Sequence, residues 1–105
     1  MDLDISRFRV TKNVRLAKVK PIVIVLTVRN GGAVDEPRMA TVIGTQNGVE
    51  VYNQTQMVSD AVGDGSSRVF FTPFVPDDSG DIRWVATIDD DDPDVDMATA
   101  VTSVR

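Results

Sequence analysis

At 105 residues, with a net charge of −5 and no cysteine, the chain is sized for one domain held by apolar packing, without disulfides or thiolate chemistry. Eleven basic residues against sixteen acidic ones disfavour nucleic acid and direct contact with an anionic membrane as partners. No apolar run approaches a membrane span, and the amino end MDLDISRF has neither the basic nor the apolar region of a signal peptide.

The first predicted strand runs from Leu3 to Val10. Its apolar residues alternate at Leu3 and Ile5 and resume one step out of phase at Phe8 and Val10, which implies a bulge near Ser6-Arg7. A basic connection follows, carrying Lys12, Arg15, Lys18 and Lys20, with Val14 and Leu16 in a short edge piece. Ile22 to Arg29 is the clearest strand in the chain. Ile22, Ile24, Leu26 and Val28 alternate strictly, Pro21 sits where its missing N–H is tolerated, and Asn30-Gly31-Gly32 stops the run.

Arg38 to Gln46 and Val49 to Met57 form a hairpin around Asn47-Gly48, a pair suited to a type I′ turn. A regular ladder from that turn places Ile43 across from Tyr52 and Gly44 across from Val51, so that Ile43 and Tyr52 share a face. Arg68 to Phe74 is the fifth strand, ended by Pro73 and Pro76, and Asp77-Asp78-Ser79-Gly80 reads as a turn. The sixth strand, Asp81 to Ile88, alternates at Ile82, Trp84, Ala86 and Ile88. After the acidic run 89–94, Val95 to Val104 closes the chain. No helical period competes.

These short strands and regular turns predict an all-β, seven-stranded antiparallel sandwich of immunoglobulin or fibronectin-III type, a single domain over residues 1–105. Trp84 lies on the sixth strand and the paired cysteines of antibody domains are missing, which favours the fibronectin-like arrangement. The expected core is Ile22, Ile24, Leu26, Val28, Val69, Phe71, Ile82, Trp84, Ala86 and Ile88.

Several details resemble the CARDB family, the cell-adhesion-related domain found in bacteria. They are the opening Asp-Leu strand, the alternating second strand ending in Asn-x-Gly, Phe71-Thr72-Pro73, Gly80 before the sixth strand, and Asp92-Pro93-Asp94 before an Ala/Thr-rich last strand. The usual Asn-rich stretch after that loop is replaced by Val95-Asp96-Met97. The resemblance implies an Ig-like module, repeated in secreted or cell-surface proteins of bacteria and archaea, with no catalytic residues. Its partners would then be neighbouring domains of the same longer chain, or other surface proteins.

The acidic run is the one candidate chemical site. Alternating the connections between the two ends of a sandwich gathers Asp35, Glu36, Asp60, Asp64, Asp89, Asp90, Asp91, Asp92, Asp94 and Asp96 at one end, with the basic connection at the other. Calcium takes six to eight oxygen ligands in irregular geometry, and Asp90, Asp92 and Asp94 are its candidate ligands. An EF-hand is excluded, because counting from Asp90 puts Val95 at the glycine position and Val101 at the bidentate Glu position. The competing reading, favoured by the general behaviour of charge runs, is a solvated turn with no cofactor. Trp84 and Tyr52 are in phase with apolar neighbours and read as core in preference to a sugar platform. Without His, Cys or a nucleophile motif, and without a concave site to separate carboxyl pKa values, the chain is not expected to be an enzyme.

Overall fold

The computed structural model describes residues 3–18, 20–30, 38–58, 66–89 and 96–105. Among them are eight strands and one 3-10 turn: β1 (Leu3–Val10), β2 (Asn13–Val14), the turn Leu16–Lys18, β3 (Ile24–Asn30), β4 (Arg38–Gln46), β5 (Val49–Val58), β6 (Ser66–Phe70), β7 (Ile82–Asp89) and β8 (Asp96–Val104). They form a three-stranded sheet in the order β1-β3-β6 and a five-stranded sheet in the order β2-β8-β7-β4-β5. The all-β sandwich is as expected.

The expected count of seven is too low, and the pairing is not wholly antiparallel. Asn13–Val14 is a strand of its own, parallel to β8, with Asn13 opposite Ser103 and Val14 opposite Val104. The cause is a change of sheet. After β1 leaves the three-stranded sheet, Val14 is buried against the other one, and the backbone of residues 12–14 is bonded by β8 and the residue after it, Ser103 N donating to Lys12 O and Arg105 N to Val14 O.

All ten expected core residues are buried, with Val14, Ala40, Val42, Tyr52, Val58 and Val104 beside them. Burial follows strand phase. On β3 the side chains of Ile24, Leu26 and Val28 face the other sheet, while Val25, Thr27 and Arg29 face outward. Each large apolar side chain removed from water contributes roughly 1.5–3 kcal/mol, so the two facing rows are the main stabilising term.

Three local features decide the register. The bulge expected near Ser6 is present, since the β1–β3 pairing shifts between Ile5 and Arg7. Asn47 and Gly48 have φ of 52° and 78°, as a type I′ turn requires. The regular hairpin ladder, however, is interrupted. Thr45 pairs with Glu50 and Gly44 with Tyr52, so Val51 is an extra residue, and Ile43 faces Asn53 instead of Tyr52. The slip moves Tyr52 into the core on the row of Gly44, where its ring meets that of Trp84 edge to face.

A second irregularity ends β6 at Phe70, four residues earlier than expected. Phe71 N still reaches Ile24 O, and Phe74 and Ile22 exchange both backbone bonds, so Thr72 and Pro73 stand opposite the single Val23. Pro73 has no N–H to give the ladder, and Thr72 beside it bonds to Tyr52 and Gln54 of β5 instead.

Candidate functional site

Asp90, Asp92 and Asp94 lie outside the described residues, as do Asp35, Glu36, Asp60, Asp64 and Asp91. The strand ends around them are described and converge. Met39 pairs with Asp89, Arg38 with Val58 and Ile88 with Asp96 in one sheet, and Arg29 with Ser66 and Leu3 with Asn30 in the other. All three connections therefore start and finish at one end of the sandwich. Among the described residues no group of three or more Asp, Glu, His or Cys is placed to hold a metal ion.

The opposite end carries the basic connection, though not in isolation. Arg15, Lys18, Lys20 and Arg105, with Thr11 and Asn13, border an open cavity of about 440 Å³. Glu50, near the start of β5, and Asp77, Asp78 and Asp81, in the segment before β7, lie at that same end.

The interior polar groups are committed to holding strands together. Trp84 Nε1 donates to Thr102 Oγ1 at 2.9 Å, and Thr102 Oγ1 donates to Thr11 O at 2.6 Å. Gln46 Nε2 donates to Asp78 O and Gly80 O, which fastens the β4–β5 hairpin to the turn before β7. Tyr52 Oη donates to Thr72 O at 2.6 Å, and burial pushes its pKa up to about 12. Tyr52, Phe74 and Trp84 meet edge to face with centroids 5.3–6.2 Å apart. Tyr52 and Trp84 are buried, so these two rings form no platform for a sugar.

The two outward sheet faces differ in chemistry. On the five-stranded sheet Met39, Met57, Met97 and Val101 are exposed among threonines, with Thr41 and Thr55 hydrogen-bonded across strands at 3.0 Å. On the three-stranded sheet the exposed residues include Arg7, Arg9, Arg29, Arg68 and Phe70. Sequence reading missed this second set. Its members come from three strands, and nothing short of the pairing register reveals that they are neighbours.

Two solved structures share the arrangement across nearly the whole chain. The crystal structure of the CARDB domain of a Pyrococcus furiosus protein, in complex with di-metal ions, matches with a TM-score of 0.68 at 22% identity over 98% of this chain and 92% of that one. The solution NMR structure of the same domain matches with a TM-score of 0.65 at 22% identity over 98% and 94%. The chain has the CARDB fold. No protein-family model and no curated protein matches the sequence. What this CARDB-like chain shares with those structures is therefore the course of the backbone.

Proposed function

We propose that the chain is a noncatalytic structural module of a longer secreted or cell-surface protein, acting as a spacer or protein-interaction unit. The observation that carries this reading is the path of the chain. Leu3 lies at the end where the acidic connections begin, and Arg105 follows β8 at the other end of a body with extents of 46 × 23 × 16 Å. A module entered at one end and left at the other adds its length to whatever contains it. The interior polar side chains support the same reading, since Gln46, Tyr52, Trp84 and Thr102 each tie separate segments and none is held for a ligand. Small-angle scattering of two copies joined in tandem tests it. A spacer gives a maximum dimension near twice that of one copy, and a pair folded back to the length of one copy would overturn the reading.

A second reading concerns divalent cations at the acidic end. It is favoured by the di-metal ions named for the Pyrococcus furiosus domain and by the convergence of the strand ends around the acidic run. Asp90, Asp92 and Asp94 would supply the oxygens. Millimolar Ca²⁺ should then raise the melting temperature beyond NaCl of equal ionic strength, and replacing the three by Asn should remove the excess. Equal shifts with the two salts would leave a solvated acidic turn.

A further inference from the structure

The outward face of the three-stranded sheet does not fit an acidic chain. Register builds it in rows: Arg9, Val25 and Phe70; Arg7, Thr27 and Arg68; and Arg29 between Asp4 and Ser66. Residues directly opposite in antiparallel pairs share a face, and Arg7, Arg9, Arg29, Arg68 and Phe70 are all exposed. Neighbouring strands lie about 4.8 Å apart and alternate residues about 6.8 Å apart, so Arg7 is roughly 7 Å from Arg9 and roughly 10 Å from Arg68 at the backbone. Four of the chain's eleven cations thus stand on one small surface around a phenylalanine that is 67% exposed.

The residue types narrow the partner. All four cations are arginines, while the three lysines lie in the connection between β1 and β3. A guanidinium presents a planar fork that matches a carboxylate with two parallel hydrogen bonds, which a lysine cannot do. Arginine and exposed aromatic residues are also the types that concentrate binding energy in protein–protein contacts. A sheet face is broad, whereas small-molecule sites are concave, so the occupant is a polypeptide surface.

This chain itself contains the complementary segment. Residues 89–96 hold six aspartates in eight positions, and their flanking strand ends Asp89 and Asp96 belong to the five-stranded sheet, whereas the arginine face is the outward side of the three-stranded one. We propose that the face around Arg7, Arg9, Arg68 and Phe70 docks the acidic run 89–96 of a second copy. End against flank is a heterologous contact, so it repeats from copy to copy and does not close as a symmetric dimer.

Ionic strength separates this contact from the general repulsion between two copies of charge −5. At 0.1 M salt the Debye length is about 10 Å, which screens the distant charges and leaves contacting pairs in force; at 1 M it is about 3 Å and weakens both. Sedimentation of the full chain across a concentration series is the test. The weight-average mass should rise with concentration at 0.1 M NaCl and stay that of a monomer at 1 M. Arg7→Glu with Arg68→Glu, on an exposed face, should weaken the association at least tenfold, and so should Asp90→Asn, Asp92→Asn and Asp94→Asn together. Arg7→Gln with Arg68→Gln, which add no new charge, should weaken it by a smaller factor. A chain that remains monomeric at 0.1 M salt up to about millimolar concentration, or an association untouched by the arginine variants, would overturn the proposal.

Discussion

Gly44 and Trp84 are paired across β4 and β7, and a Cβ built on Gly44 would stand 2.6 Å from Cζ3 and 2.8 Å from Cε3 of the indole. The glycine is thus a fitted floor for the largest side chain in the core. Tyr52 closes the same row from β5, which is why the slip at Val51 matters. Trp84 has no exposed surface to move toward, so Gly44→Ala should cost about 1–3 kcal/mol through forced displacement of the ring. Chemical denaturation checks this, with a lower midpoint expected at unchanged slope.

The relay from Trp84 through Thr102 to Thr11 gives a second prediction. Thr102→Val keeps the side-chain volume but leaves a buried indole N–H and a backbone carbonyl without the bonds they now make. Each such group costs about 1–3 kcal/mol, so a total loss of about 2–6 kcal/mol is expected. Trp84→Ala should cost about 3–5 kcal/mol, enough to unfold a domain of ordinary stability. Because Trp84 is the single tryptophan, its fluorescence in the folded chain should be blue-shifted and resistant to an aqueous quencher.

Gly48 tests backbone conformation apart from space. Its φ is +78°, and an added Cβ would meet nothing within 4 Å. Gly48→Val should therefore destabilise through the left-handed backbone alone, by about 1–2 kcal/mol. A melting temperature equal to that of the parent would count against the turn.

Tyr52 makes stability depend on alkaline pH. Its pKa is about 12 in the folded chain against 10 in the unfolded one, because burial disfavours the phenolate. The folded state thus holds the proton more tightly. The contribution is fully present below pH 10 and is lost as pH rises from there through about 12. Tyr52 is the single tyrosine, so ultraviolet absorbance of the phenolate reports it directly, and titration near 10 in the native chain would refute the assignment.

Much of this architecture was legible in the sequence because burial imposes period 2 on strands packed on one side. The ten expected core residues alternate cleanly, the bulge near Ser6 appears as a phase slip, and Asn47-Gly48 announces its own turn. The Val51 bulge left only a faint mark, since Tyr52, out of phase with Val49 and Val51, is followed by the polar run Asn53, Gln54, Thr55 and Gln56, which carries no apolar phase onward. The short edge piece expected at Val14 is present, without Leu16, which lies in the 3-10 turn, but two residues are too few for a period to reveal a parallel partner ninety residues away. For the site the limit is of another kind. The acidic run advertises its charge by composition, whereas Arg7, Arg9, Arg29 and Arg68 become a surface only when β1, β3 and β6 are placed in register.

The central claim is that this is a structural module whose sandwich is complete without a ligand. Native-state amide hydrogen exchange in the absence of divalent cations tests it most directly. Amides of β3, β4 and β7, the strands paired along most of their length on both sides, should exchange only through global unfolding, with protection matching the stability measured by denaturation. Rapid exchange in these three strands, slowed only when a cation or partner is added, would contradict the account.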